Sequence, residues 1–305
     1  MSDFVRLNSS VCTFNSSDSW VILSPIEQSI KNKIESVGTP LCDWDINIYR
    51  GVLTGYNEAF IIDSAKRDEI LSNCKTEDER TRTAELIRPI LRGRDIKRYG
   101  YDWANLWLIA TFPARHYDIE KYPAVKEYLL SIGIEKLEQT GKTHVIHGET
   151  IKARKKTNNK WFETQDSISY WDDFNKPKIM YPNMTKFLPF YYDNRGFYQN
   201  DKSFMITGSK IAFLTAFLNS SLFKFCFIDN FPELQGGTRE LRKIFFDKIP
   251  ILIPNDDIEK HFKDLVDDIQ REFSTEKAIV IDKEIFTLYN LTKEEKEKIG
   301  YIEIK

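Results

Sequence analysis

Several features that would assign a function directly are missing from this sequence of 305 residues. It has no GxxxxGKS/T motif, and no GxGxxG follows a predicted strand, so the common nucleotide-binding loops are not indicated. The four cysteines have no CxxC spacing, so we expect reduced thiols in a cytoplasmic protein. No apolar run reaches about 18 residues, so no membrane span is expected. The N-terminus has no basic head before an apolar stretch, so no signal peptide is expected either.

A strong net charge is also missing, but the charges are unevenly distributed. The net charge is −2, whereas residues 80–98 carry seven cations and two anions. Residues 142–160 carry six cations against Glu149, and residues 255–305 carry nine cations against fourteen anions. A basic middle would attract a polyanion such as DNA, although any single basic run is more often only a solvated surface.

The spacing of apolar residues predicts an α+β protein. Ser24, Pro25 and Glu27 are typical of a capped helix start, and Gly38 is placed to end that helix. Further helices are predicted over Pro123–Leu130 and, apolar nearly all round, over Lys210–Phe227. The predicted strands are Ile46–Arg50, Phe60–Asp63, Leu106–Thr111, Lys178–Met184, Phe187–Asp193, Ser203–Thr207 and Ile249–Ile253.

The two ends of the chain differ from its middle. Residues 1–19 are rich in serine and asparagine and predict an irregular lead-in. In the tail, apolar residues at helical spacing predict a helix over residues 258–273 and a second over Thr275–Tyr289. Thr292 and Glu295 predict a capping box that starts a short third helix. We therefore predict an α+β domain with a mixed, irregular β-sheet over residues 1–254, followed by a C-terminal helical segment over residues 255–305.

Two glycine-containing stretches place cations and small polar residues between apolar runs. The first covers residues 50–63 and contains Gly51 and Gly55, and in the second Arg92 and Arg94 flank Gly93. This make-up is typical of a loop that is held by strands and faces an anion. In this order the stretches resemble the TaqI-like C-terminal specificity domain. That domain is the target-recognition part of certain adenine-specific DNA methyltransferases and fused restriction–modification enzymes.

The resemblance covers nearly the whole chain after about Trp20 and rests on the order of its elements. Its elements are Gly51-x-x-Thr54-Gly55-x-Asn57-x-x-Phe60, Arg92-Gly93-Arg94-Asp95-Ile96-x-x-Tyr99, Tyr122–Leu129, Trp161–Gln165, Lys176–Pro182, Leu218–Leu222, Ile249–Ile251 and Leu288–Thr292. Within it, Trp161–Gln165 is similar to an aromatic strand that follows a basic loop. Such enzymes also carry an Asn/Asp-Pro-Pro-Tyr/Phe motif and a glycine-rich loop for S-adenosylmethionine, and neither occurs here.

The resemblance therefore implies the specificity part alone, with no catalytic residues and no cofactor of its own. It implies double-stranded DNA as the ligand and a methyltransferase domain or subunit as the partner. S-adenosylmethionine is expected on that catalytic part, which would perform N6-adenine methylation. DNA cleavage by an associated nuclease is left open. The chain would be a shortened piece of a longer enzyme or a separately encoded specificity subunit.

The residues expected to contact DNA are cations and amide or hydroxyl side chains in loops. They are Arg50, Thr54, Asn57, Arg92, Arg94, Lys97, Arg98, Lys152, Arg154, Lys155, Lys156, Arg239, Arg242 and Lys243. Thr54 and Asn57 have an alternative role in satisfying turn amides. Arg94 and Asp95 have an alternative role in holding the fold together. Lys152–Lys156 is expected to face phosphates.

A different class of function would use His144 and His147, whose spacing permits two metal ligands. No Cys or Asp pair lies near them in the sequence, and Gly141 and Gly148 favour a loop. A stand-alone hydrolase or transferase built on this pair is therefore the distant alternative. A metal or S-adenosylmethionine bound to the isolated chain would favour it.

Overall fold

The computed structural model describes residues 23–146 and 148–302 and has an α+β fold, as predicted. The contacts divide the chain into two compact units. The central unit is Ile46–Ile211, and the terminal unit combines Met1–Asp45 with Ala212–Lys305. The predicted boundary at residue 254 lies inside the terminal unit. The irregular lead-in predicted for residues 1–19 lies outside the described residues.

The central unit contains two four-stranded sheets. The first is antiparallel, and its strands in order are Tyr191–Asp193, Lys178–Pro182, Ser203–Gly208 and Ile46–Arg50. The second has the order Tyr198–Gln199, Ile87–Leu91, Leu106–Ile109 and Ile61–Asp63, with the first pair parallel. Hairpins are formed by Ile96–Lys97 with Gly100–Tyr101 and by Thr143–Ile146 with Glu149–Lys152. Met184–Thr185 is a further short strand.

The helices of the central unit cover the apolar face of the second sheet. They are Asn57–Phe60, Ser64–Ser72, Glu77–Leu86, Pro123–Ile132 and Ile134–Leu137. Asp63 and Thr76 start two of them, because their side chains accept hydrogen bonds from the amides of Lys66 and Glu79. Phe60, Leu108 and Val125 are fully buried in the core between helices and sheet. This core fixes the loops at the strand ends.

A buried ion pair joins two strands of the first sheet. The Lys178 ammonium pairs with Asp193 and donates a 2.6 Å hydrogen bond to the Phe174 carbonyl oxygen. The Asp193 carboxylate also accepts a 3.0 Å hydrogen bond from the Phe197 amide. Burial lowers the pKa of Lys178, and Asp193 opposes that shift. Inside the protein each charge has the other as its partner in place of water. Losing one partner would therefore leave an uncompensated buried charge.

The terminal unit is mainly helical. Its helices are Pro25–Val37, Ile211–Leu218, Ser221–Phe227, Lys243–Phe246, Asp256–Arg271, Thr275–Leu288 and Lys293–Ile299. Its strands are Thr39–Pro40 with Pro250–Ile251, and the hairpin Glu233–Leu234 with Thr238–Glu240. The capping boxes predicted at Ser24 and Thr292 are both present. The tail helices predicted from periodicity are confirmed, with bounds shifted by a few residues.

The prediction of one helix over Lys210–Phe227 is wrong. Two helices, Ile211–Leu218 and Ser221–Asn230 when its last turn is included, are bent by 67° at the break. The Ser220 hydroxyl caps the second helix, and the Asp282 carboxylate accepts a 2.8 Å bond from the Ser221 amide. The break follows because these polar groups offer the chain a new helix start. Among the described residues no single helix is long and apolar enough to cross a membrane, although this bent pair has the length and composition.

Several predicted strands are shorter in the structure. The segment Phe187–Asp193 is extended only over Tyr191–Asp193, and Lys178–Met184 is interrupted after Pro182. Trp161–Gln165 is not a strand but a series of turns and bends. Burial of an aromatic run is compatible with either form, so composition alone does not separate them.

Candidate nucleic-acid interface

The loop after the strand Ile46–Arg50 lies directly on the turn formed by residues 200–203. The Gly51 amide donates a 2.8 Å hydrogen bond to the Ser203 carbonyl oxygen, and the Val52 amide donates one of 2.7 Å to Gln199. A Cβ atom on Gly51 would lie 2.0 Å from the Asn200 carbonyl oxygen. The glycine is therefore required by close backbone approach.

The second glycine stretch packs against the same turn. A Cβ atom on Gly93 would lie 2.8 Å from the Lys202 carbonyl oxygen and 3.4 Å from Pro182 Cβ. That Lys202 oxygen also accepts a 2.9 Å hydrogen bond from the Asn183 amide. The 200–203 turn thus brings together two motifs that are about forty residues apart in the sequence.

Two exposed cations share one carboxylate in this turn. Asp201, whose side chain is 9% exposed, lies 3.2 Å from the Arg50 guanidinium and 3.3 Å from the Lys202 ammonium. The Arg50 and Lys202 side chains are 46% and 69% exposed. One carboxylate cannot neutralise two cations, so the turn presents net positive charge to the solvent.

Arg50 and Lys155 both act electrostatically on Asp166. Burial raises the pKa of the Asp166 carboxyl, whereas the positive charges of Arg50 and Lys155 lower it. Both cations therefore lie within electrostatic range of Asp166. The Asp166 amide donates a 3.2 Å hydrogen bond to the Leu53 carbonyl oxygen, which ties this carboxyl to the loop after Gly51.

The cations of the second stretch differ in their partners and in their exposure. Arg92 binds Asp95 through Nε and Nη2 at 2.9 and 2.8 Å, and these bonds raise the Arg92 pKa. Asp95 is buried, so Arg92 stabilises this turn. Arg94 is exposed, and no ion pair of its side chain occurs among residues 23–146 and 148–302. Lys97 is exposed and lies 3.5 Å from Asp102, while Arg98 is half-buried over the Tyr99 ring.

Arg154 has a structural role that was not predicted. Its side chain is 3% exposed, and it donates five hydrogen bonds to main-chain carbonyl oxygens. The acceptors are Leu137, Thr54, Glu163 and Trp161. Burial lowers the Arg154 pKa to about 10, with the Glu163 charge opposing, so the guanidinium stays positive at neutral pH. The assignment of Arg154 to the phosphate-facing set is corrected, because a guanidinium has only five N–H donors.

Thr54 is also internal. It is fully buried, its hydroxyl donates a 2.7 Å hydrogen bond to Asn57 Oδ1, and it accepts one of 3.2 Å from the Tyr56 amide. The expected base contact of Thr54 is therefore corrected to the alternative role in the turn. Asn57 itself is exposed, and Thr54 orients its amide so that Nδ2 is the group left for an outside partner.

Gln165 completes this loop although the sequence did not single it out. Gly55 has a φ of +78°, and a Cβ atom there would lie 2.6 Å from Gln165 Oε1. The Gln165 amide donates a 3.1 Å hydrogen bond to the Leu53 carbonyl oxygen. Gln165 and Lys202 are the neighbours of the glycine motifs that only folding reveals. The sequence did contain a signal for each residue. Gln165 belongs to the family element Trp161–Gln165, and Lys202 lies among the turn-forming residues 200–203.

The remaining predicted lysines of the central unit are on the surface. Lys152 ends the hairpin strand Glu149–Lys152, and Lys155 and Lys156 follow the buried Arg154. All three lysine side chains are exposed. Arg154 therefore anchors a segment whose lysines point to solvent.

The predicted cations of the terminal unit are each paired with carboxylates. Arg239 is 19% exposed, contacts Asp229 and Glu233 at 3.0 and 3.1 Å, and donates hydrogen bonds to two carbonyl oxygens of the same unit. Arg242 lies 2.8 Å from Glu240. Lys243 lies 2.8 Å from Asp247. These pairings reduce the local positive potential, although the Arg242 and Lys243 side chains remain about half exposed.

The histidine pair is not tested by the structure, because His147 lies outside the described residues. His144 Nε2 lies 3.7 Å from Glu138. Within the described parts of the chain no cluster of three or more His, Cys, Asp or Glu side chains could hold a metal ion.

The model of the TaqI-like C-terminal specificity domain matches residues 88–251. The chain belongs to this family. The match contains the Gly93 stretch, the strand Lys178–Pro182 and the 200–203 turn, and it begins after the Gly51 loop. The specificity domain therefore holds one of the two glycine motifs, and the loop preceding it supplies the other.

Two solved structures resemble this specificity-domain protein. One is the type IIG restriction endonuclease BpuSI, with 12% identity, a TM-score of 0.51, and coverage of 86% of this chain and 33% of that chain. The other is the type IIL restriction-modification enzyme MmeI in complex with DNA, with 11% identity, a TM-score of 0.53, and coverage of 86% and 36%. At this identity the likeness concerns the fold, and the chain spans about a third of each enzyme. No curated protein matches the chain.

Proposed function

We propose that this chain is the DNA target-recognition module of a restriction–modification enzyme. The observation that carries the proposal is the 200–203 turn, which gathers both glycine motifs beside the exposed cations Arg50, Lys202 and Arg94. Exposed lysines and arginines contact phosphates and fix the register on the duplex. Asn57 and Arg94 are the side chains suited to reading adenine and guanine edges.

The chemical step belongs to a catalytic part outside these residues. We propose that this part is an adenine methyltransferase that binds S-adenosylmethionine and receives the flipped target base. A nuclease in the same system remains compatible with this arrangement. Whether the two parts share one polypeptide or are separate subunits does not change the role proposed for this chain.

A binding titration tests the proposal. The chain is titrated into a labelled duplex at several salt concentrations, and fluorescence anisotropy gives the dissociation constant. We expect non-specific values of roughly 10⁻⁴–10⁻⁶ M at physiological salt and a steep loss of affinity with salt, because phosphate contacts release counterions. Binding that does not respond to salt would contradict the proposal, and so would a lack of binding at low salt.

A second titration tests the division of recognition and catalysis between this chain and the catalytic part. By calorimetry the isolated chain is expected to show no complex with S-adenosylmethionine and, in an assay with labelled cofactor, no transfer of methyl groups to DNA. A micromolar complex with the cofactor would place catalysis on this chain and overturn the division. A stoichiometric metal found by elemental analysis would instead favour the hydrolase alternative built on His144 and His147.

A further inference from the structure

An exposed apolar loop leaves the first sheet after the strand Lys178–Pro182. Met184 is 54% exposed and Phe187 is 69% exposed, whereas Leu188 and Phe190 in the same segment are buried. An exposed phenylalanine forgoes the stabilisation that burial of its ring would give. The buried residues anchor the loop and leave Phe187 at its tip.

The loop lies beside the candidate nucleic-acid interface. The Asn183 amide, at the start of the loop, donates a 2.9 Å hydrogen bond to the Lys202 carbonyl oxygen. The preceding Pro182 lies 3.4 Å from where a Gly93 Cβ would be. Thr185 Oγ1 accepts a 3.0 Å hydrogen bond from the Phe187 amide, which gives the tip a defined turn.

Cations lie in the loop and in the turns that contact its base. Lys186 is exposed within the loop, and Lys202 and Arg94 belong to the two turns that contact its base. The neighbouring acidic groups Asp95 and Asp201 are buried and already bonded to cations. An apolar tip that is accompanied by cations in its loop and in the turns at its base is complementary to duplex DNA, where phosphates flank an apolar base stack. Proteins that kink DNA insert such side chains between base steps.

We propose that Phe187, supported by Met184, inserts between adjacent base pairs of the bound duplex. Lys186 and Lys202 bind phosphates on either side of the insertion. The duplex is kinked there, which loosens the stack near the base that the catalytic part must extract. This inference rests on the proposed DNA-recognition function and adds a wedge to it, namely the inserted side chain of Phe187.

The test compares variants of the chain on a short duplex that carries a donor and an acceptor dye at its ends. Energy transfer reports the kink and anisotropy reports the affinity. Binding of the wild-type chain is expected to raise the energy transfer, because a kink brings the two dyes closer, and Phe187→Ala is expected to abolish this rise. The same variant should weaken binding at least about five-fold, since stacking on an aromatic ring is removed. The salt dependence should not change, because Phe187 has no charge. Phe187→Trp should retain the kink.

The matched control is Phe273→Ala, which removes a phenylalanine that is 40% exposed in the terminal unit and should leave binding and kinking unchanged. Wild-type chain that binds no duplex would overturn the proposed function and the wedge together. Wild-type binding with an unchanged Phe187→Ala variant would overturn the wedge alone. If Phe187→Ala instead turns a dimer into a monomer in sedimentation and leaves DNA affinity intact, the loop is a self-association surface and the wedge is wrong.

Discussion

Arg154 Nη1 donates a 2.8 Å hydrogen bond to the carbonyl oxygen of Thr54, a residue that is 100 positions earlier in the chain. The same guanidinium holds Leu137, Glu163 and Trp161. One buried charge therefore fixes the loop after Gly51 against the segment that contains Gln165. A loop held in this way can keep an exposed side chain such as Asn57 in a defined position, which sequence reading in DNA requires.

Replacing Arg154 by methionine should strongly destabilise the protein. Three carbonyl oxygens, those of Leu137, Thr54 and Trp161, would lose their donor inside the protein, whereas that of Glu163 keeps a hydrogen bond from Gln139. Each unsatisfied group costs about 1–3 kcal/mol, so the unfolding free energy should fall by at least about 3 kcal/mol. Urea denaturation followed by circular dichroism measures the change. Lys155→Met, at the exposed neighbouring position, is the control and should change it by less than about 0.5 kcal/mol. Equal effects of the two variants would contradict the stabilising role of the Arg154 hydrogen bonds.

Substitution of Gly51 should be more damaging than that of Gly100. A methyl group on Gly51 meets the Asn200 carbonyl oxygen at 2.0 Å, whereas nothing lies within 4 Å of such a group on Gly100. Gly51→Ala should lower the unfolding free energy by about 1–3 kcal/mol or more, because backbone must move. Thermal denaturation of both variants tests this. A melting temperature of Gly51→Ala equal to that of Gly100→Ala would show that the loop accommodates the methyl group.

The three exposed lysines near Arg154 should contribute affinity without sequence preference. Changing Lys152, Lys155 and Lys156 together to alanine should weaken binding to all duplexes about equally. The slope of log affinity against log salt should also become shallower by about 0.9 for each phosphate that the variant no longer neutralises. The control changes three exposed lysines of the terminal unit, Lys260, Lys283 and Lys293, and so removes the same charge. If both triple variants behave alike, only net charge matters and this segment is not on the DNA.

Asn57 should influence which sequence is chosen. Asn57→Ala removes the exposed Nδ2 group that Thr54 leaves for an outside partner. One hydrogen bond from Nδ2 to a base edge should contribute about 0.5–1.5 kcal/mol of discrimination. Selection of bound duplexes from a randomised pool, followed by sequencing, measures the preference at each position. The salt slope should stay at the wild-type value. Asn32→Ala, on an exposed helix position of the terminal unit, is the control, and an unaltered preference in Asn57→Ala would remove this residue from the reading set.

Alkaline pH should destabilise the central unit through buried tyrosines. Burial raises the pKa of Tyr170 to about 12, while its hydroxyl donates a 2.8 Å hydrogen bond to the Arg50 carbonyl oxygen. An unfolded tyrosine ionises near pH 10, so its contribution is fully present below about pH 10 and is lost as the pH rises through about 12. Urea midpoints of wild type and Tyr170→Phe over this window should converge, because the variant lacks this titration.

Tyr117 and Tyr128 act in the same direction, since burial raises the pKa of each to about 12. The Tyr170→Phe variant should therefore keep part of the alkaline loss of stability. Tyrosinate absorbance of the folded protein provides an independent measurement. If every tyrosine of the folded protein ionised near pH 10, the buried environment of these hydroxyls would be contradicted.

Local sequence decided the elements whose signals are complete within a few residues. Ser24 and Glu27 form the predicted capping box, and Phe262, Val266 and Ile269 form the predicted buried stripe of a tail helix. The strand Ile46–Arg50 has the predicted bounds. These signals suffice because capping bonds and helical periodicity involve neighbours in the chain. The family could also be identified from the sequence, because its motifs keep their order.

Only the tertiary structure decided which polar side chains face outward. Arg154 and Lys155 are adjacent and similar in charge, yet the first is 3% exposed and the second is exposed. Thr54 and Asn57 belong to one motif and differ in the same way, since Thr54 is buried and Asn57 is exposed. The division depends on carbonyl oxygens that arrive from distant segments and need donors, and a buried carbonyl must be satisfied wherever the chain brings it. For the same reason the 200–203 turn and Phe187 acquire their place beside the glycine motifs only when the strands pair.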